Sequence, residues 1–250
     1  MKSRGDSSGQ RRPGEGLGPF WAIVRMDLGS VLRNRITIAW LSAAVFIQVV
    51  RTLGSTGTGT ASVVSSGLSD FVYIWSLVII GLTASAVSSE AGELADSIMS
   101  KSVTRLDYVL AKFFSRAAYV LICFSLTTAM LVGLSLKLDV SSYDPAGLVA
   151  AVLLVALMLV ALTALGVGLS VAMPSTVTAM VTLLVLWYSM TLFFPAVGLG
   201  AVSPGAVAGR LSDIIAGGWA WGDWESVGGF LAVAGASVGL ASAYFSAKDI

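Results

Sequence analysis

AGLVAAVLLVALMLVALTALGVGLSVAM, residues 146–173, carries no charged side chain, and its apolar residues fall on every side of a helix. No face is reserved for water, so the stretch belongs in a fully apolar surrounding. It also exceeds the ~20 helical residues needed to cross a hydrocarbon layer of about 30 Å. Comparable runs flank it: Ile36–Leu53, Asp70–Val87 and Phe113–Leu136 before, Thr176–Val197 and Val227–Phe245 after. None alternates as the strands of a barrel do, and a backbone in lipid must satisfy its own hydrogen bonds. The expected fold is an all-α integral membrane protein with six transmembrane helices, the central run being span 146–173. Composition agrees, since 56% of residues are hydrophobic and 12% charged, with mean hydropathy +0.87, against roughly 25% charged in soluble domains.

Lys and Arg set the orientation. With the N-terminus inside, only Arg51, Lys137 and Arg210 of the 15 cations face outward. Both termini are therefore expected in the cytoplasm of a multi-pass protein of the cell membrane. Residues 1–19, rich in Gly, Ser and Arg, read as a disordered cytoplasmic tail. The Arg11-Arg12 pair is not followed closely by an apolar stretch, and no cleavage-site pattern precedes Ile36, so neither a twin-arginine signal nor a signal peptide is expected. Residues 20–250 form the transmembrane domain. It opens with FWAIVRMDLGSVLRNR, where Phe20, Trp21, Val24, Leu28, Val31 and Leu32 share a face opposite Arg25, Asp27, Arg33 and Asn34. That pattern predicts an interfacial helix along the inner leaflet.

Between the spans, Gly54–Gly67 reads as a glycine-rich external linker. No Lys follows it, and no GxxxxGK[ST] occurs anywhere, which removes nucleotide binding by a phosphate loop. Within Gly198–Ser226, Ser203-Pro204 has the form of an N-cap with proline at the first helical position. Val207, Leu211, Ile214 and Ile215 then line one face up to Gly217-Gly218, and Trp219, Trp221 and Trp224 resemble an aromatic belt. A short re-entrant or interfacial helix before the last span is expected. In that span Gly228, Ala232, Gly235, Ala236 and Gly239 recur at three and four residues, a helix-packing pattern in lipid. Packing within one subunit is its simplest reading.

Chemistry-bearing constellations are scarce. There is no histidine and one cysteine, Cys123, so imidazole-based catalysis and a transition-metal site lack ligands. No catalytic, cofactor-binding or metal residues are assigned. The interiors of spans two to six are expected to hold no Asp, Glu, Lys or Arg, whereas ion-coupled carriers usually keep such a group at mid-membrane. Energy for any transport then has to come from outside the chain.

The charge is concentrated in SSEAGELADSIMSKSVTRLDYVLAKFFSR, Ser88–Arg116, between the second and third spans. Glu90–Ser100 offers Leu94, Ile98 and Met99 on one face with Glu93 and Asp96 opposite, a short amphipathic helix outside the bilayer. Arg105, Tyr108, Lys112 and Arg116 form one stripe of a helix entering the membrane.

This arrangement resembles the permease subunit of the ABC-2 type exporters. The family pattern of a Glu after span two, a Gly-Thr-Leu step, then Pro-Val-Ser-Arg and a later Lys is similar to Glu90, Gly92-Glu93-Leu94, Ser102-Val103-Thr104-Arg105 and Lys112. The ending YFSAKDI, with Lys248 and Asp249, resembles the family's short charged C-terminus. Ser102 stands where proline is usual and Glu93 where threonine is usual. The resemblance implies that Glu90–Ser100 is a coupling helix docked in a separate cytosolic ATPase, with Glu90, Glu93, Leu94, Ile98, Met99, Arg105 and Lys112 as coupling residues. It further implies that the partner binds ATP, that a second permease copy or a related permease completes the transporter, and that no nucleic acid is involved. The other reading of the residues is a membrane-embedded scaffold, assembly factor or intramembrane enzyme without an ATPase.

Overall fold

The computed structural model describes residues 17–55, 59–88, 105–138 and 143–247. Every regular element among them is helical: α1 (Leu17–Arg33), α2 (Arg35–Gly54), α3 (Thr60–Tyr73), α4 (Trp75–Ala84), α5 (Arg105–Leu138), α6 (Pro145–Ala172), α7 (Thr176–Leu192), 3-10 turns at Phe194–Val197 and Gly200–Val202, α8 (Pro204–Ile215) and α9 (Trp221–Ala247). The Glu90–Ser100 segment expected to be a coupling helix and the Ser102-Val103-Thr104 step lie outside the described residues.

Among the described residues five stretches are long and apolar enough to cross a membrane: Arg35–Gly54, Thr60–Ala84, Leu106–Lys137, Pro145–Ala172 and Trp221–Tyr244. The run expected over Thr176–Val197 is α-helical only through Leu192, 17 residues or about 25 Å at 1.5 Å per residue. Pro195 gives the reason, because it has no N–H for the Thr191 carbonyl four residues back. The Ser203 hydroxyl donates to that carbonyl instead, at 3.5 Å.

The second stretch is the centre of the fold. In Thr60–Ala84, 67% of the apolar window is buried, against 22% in both the first and the last stretch. Phe71 meets Phe124 of α5 edge to face at 4.9 Å, and the Trp40 indole of α2 donates to the Tyr119 hydroxyl of α5 at 2.8 Å. The central helix is broken at Ile74. Leu77 N turns to the Ile74 carbonyl at 3.2 Å, which leaves the Tyr73 carbonyl without its helical donor. The Tyr188 hydroxyl of α7 donates to it at 2.6 Å, while the neighbouring Trp187 indole donates to the Val72 carbonyl at 3.2 Å. Side chains of α7 thus complete the backbone of the break, as lipid requires of irregular backbone at membrane depth.

Three expectations are corrected. The Gly54–Gly67 linker is shorter than its composition suggests, because α3 begins at Thr60 and buries Thr60, Ala61, Val63 and Val64. Small residues there serve packing: a side chain at Gly67 would run into Leu131 and Gln48. The last helix starts at Trp221, so Trp221 and Trp224 stand exposed in its first turn. In α1, Asp27 lies on the buried face with Val24 and Val31, against α5, while Trp21 is exposed.

The segment before the last helix follows its sequence pattern closely. Ser203 caps α8 by accepting from Ala206 N, with Pro204 in the first turn. Val207, Leu211, Ile214 and Ile215 are buried where α8 packs on α3 and α6. Gly217 ends it with φ +91°, a left-handed conformation natural only to glycine.

Candidate functional site

The described residues hold both attachments of the Glu90–Ser100 segment, and each is fixed by polar contacts. On the incoming side, α4 ends at Ala84 and the chain turns through Ser88. The amides of Val87 and Ser88 both donate to Ser170 Oγ at 2.9 Å. The Ser88 hydroxyl lies 2.8 Å from Thr176 Oγ1 and donates to the Ala84 carbonyl at 2.9 Å. The exit from span two is therefore tied to the end of α6 and the start of α7.

On the outgoing side, the stripe at the start of α5 turns inward. Arg105 opens the helix, and Tyr108, Lys112 and Arg116 are buried below it. Lys112 Nζ lies 2.8 Å from Asp27 Oδ1, Arg116 Nη2 lies 3.3 Å from the same oxygen, and the Ser115 hydroxyl donates to Oδ2. Lys112 also sits over the Tyr108 ring, 5.7 Å from its centroid. The ion pair excludes solvent, with side-chain exposures of 5% for Lys112 and 6% for Asp27. At such burial a charge is tolerable only with its partner in place. The stripe braces α1.

The two attachments share one apolar cluster. Ala86 and Val87 from the incoming side pack with Tyr108 and Val109 from the outgoing side, with Val167 and Val171 of α6, and with Ala241 of α9; Ile23 of α1 packs against them. A force on the segment between residues 88 and 105 would enter α1, α5, α6, α7 and α9 together. The sequence pattern places Asp27 on the polar face of α1 and gives no role to Ser170 or Thr176. Asp27 had a legible signal: an acid at helical spacing with Val24 and Val31, and a facing helix with cations four residues apart, Lys112 and Arg116.

Elsewhere, two of the cations expected outside have acid partners. Arg51 pairs with Asp70, which also lies 3.4 Å from Gln48 Nε2. Arg210 makes a two-pronged pair with Asp223 at 3.0 and 3.1 Å, and Asp223 also accepts from Ala220 N at 2.7 Å. Asp70 and Arg116 correct the expectation of charge-free span interiors, since both lie within candidate spans. Arg51 belongs to the last turn of α2, which puts the Asp70 pair level with that helix end.

Gly228, Ala232, Gly235, Ala236 and Gly239 form an exposed stripe, and a side chain at any of the three glycines would meet nothing within 4 Å. Packing within the subunit is thus not their role among the described residues. Close approach in this chain occurs at Gly147 against the Ile214 carbonyl, Gly166 against Thr83, and Gly229 against Val202 and Ala201. Among the described residues no group of three His, Cys, Asp or Glu could hold a metal ion.

Neither a protein-family model nor a curated protein matches this sequence.

Proposed function

We propose that this chain is the six-span permease subunit of an ATP-driven exporter of the ABC-2 type, in the cell membrane with both termini cytoplasmic. A separate cytosolic ATPase supplies and binds the ATP, and a second permease, identical or related, completes the pathway. The observation that carries the reading is the double anchorage of the segment between Ser88 and Arg105: through Ser170 and Thr176 on one side, and through Asp27, Lys112 and Arg116 on the other. A passive loop needs no such frame. A segment that receives mechanical work does, because motion at its ends has to enter packed helices as a unit.

In this reading Leu94, Ile98 and Met99 fill a cleft of the ATPase, Glu90 and Glu93 orient the contact, and Arg105 and Lys112 continue it into α5. The Thr176–Leu192 helix is the fifth span, short for the bilayer and extended by the 3-10 turns that follow it. The exposed small-residue stripe of α9 suits contact with the second permease. The test is affinity purification of the tagged chain from its native membrane. An ATPase subunit should co-purify, and the isolated chain should hydrolyse no ATP. Isolation without an ATPase under mild detergent would favour the scaffold reading.

A further inference from the structure

A groove of about 470 Å³ runs along α6 beside the α8–α9 connection. From Asp144 to Leu157 it follows some 13 residues of helix, about 20 Å, which matches one leaflet of a ~30 Å hydrocarbon core with its interface. Its long wall is apolar, made by Ala150, Leu153, Leu154 and Leu157. Its polar end holds Asp144, Trp219 and Trp224. Asp144 Oδ2 caps α6 by accepting from Gly147 N at 2.7 Å, and Asp144 is the one charged residue among the described residues lining the groove. The two indoles meet edge to face with centroids 5.5 Å apart. The Trp219 indole nitrogen is buried and donates to no described group, an omission that native interiors rarely leave unexplained.

We infer that this groove binds a phospholipid whose headgroup carries an ammonium, such as phosphatidylethanolamine. Two features select that occupant. The apolar length takes an acyl chain, which a soluble amine lacks. The Asp144 carboxylate favours a cation and opposes an anionic headgroup. The inference goes beyond the exporter reading and does not depend on an ATPase.

The test is native mass spectrometry of the delipidated full-length protein, titrated separately with dioleoyl phosphatidylethanolamine and dioleoyl phosphatidylglycerol. The parent should retain the first about tenfold more tightly, equivalent to ~1.4 kcal/mol. Asp144→Asn keeps a cap acceptor and removes the charge, so the two lipids should bind about equally. Ala150→Phe should block the groove and abolish retention of both. Leu153→Trp, at an exposed position, provides a second block if circular dichroism shows that Ala150→Phe does not fold. Equal binding of the two lipids by the parent, an unchanged preference in Asp144→Asn, or undiminished retention in a folded groove-blocked variant would overturn the proposal.

Discussion

Replacing Asp27 with alanine removes a carboxylate that serves Lys112 Nζ at 2.8 Å, Arg116 Nη2 at 3.3 Å and the Ser115 hydroxyl. Both cations lose that partner at positions where Lys112 is 4% and Arg116 8% exposed. Breaking a buried pair by removing one partner costs about 3–5 kcal/mol, most of it from the stranded charge. For a chain of this size each kcal/mol lowers Tm by roughly 2–4 °C, so the variant should melt about 6–20 °C lower. Thermal unfolding in one detergent, followed by circular dichroism, measures this. A double-mutant cycle with Lys112→Met isolates the pair: the double variant should lose less than the sum of the singles, by more than ~1 kcal/mol. Asp27→Asn retains an acceptor for Ser115 and should fall between parent and alanine. If Asp27→Ala melts within about 2 °C of the parent, the stripe does not brace α1, and the outgoing anchorage of the insertion fails with it.

Other consequences are simpler to read. Tyr188→Phe withdraws the hydroxyl from the Tyr73 carbonyl and should cost about 1 kcal/mol, visible as a Tm loss of ~2–4 °C; an unchanged Tm would show that the break is satisfied without α7. Gly147→Ala pushes a methyl into the Ile214 carbonyl and should destabilise by about 1–3 kcal/mol, while Gly235→Ala, in open space, should be neutral or stabilising by up to ~1 kcal/mol. Cysteine at Ser62, an exposed position, should react with an impermeant thiol reagent in intact cells, and cysteine at Ser100 should not; labelling of Ser100 from outside would overturn the orientation.

The parts of the fold legible in the sequence are those written by burial all round or by caps. Pro145–Ala172 is apolar on every side and bounded by Asp144-Pro145, and α8 carries its N-cap, its apolar face and its terminating glycine within 15 residues, 203–217. What stayed hidden depends on neighbours. Thr60–Gly67 has the composition of a loop, yet it is helical because α8 and Leu131 give its small residues something to pack against. Asp27 reads as a surface charge until α5 places two cations opposite it. The break at Ile74 has neither proline nor glycine to announce it and exists with donors from Trp187 and Tyr188, each 115 residues from the carbonyl it meets, Val72 and Tyr73. Half of the insertion's frame was visible as the Arg105–Arg116 stripe. The Ser170 and Thr176 contacts were not, since a serine within an apolar helix carries no sign of its partner.

The central claim is that Glu90–Ser100 docks an ATPase, and retention of that ATPase on membranes at equal permease levels tests it most directly. Ile98→Asp with Met99→Asp removes two apolar anchors, each expected to contribute about 2 kcal/mol or more to the contact. A matched pair, Leu199→Asp with Ser212→Asp, alters exposed positions of the outer segment. The first variant should insert normally but lose the ATPase from the membrane, whereas the second should retain it. Full retention by the Ile98/Met99 variant would contradict the claim and leave the scaffold reading in its place.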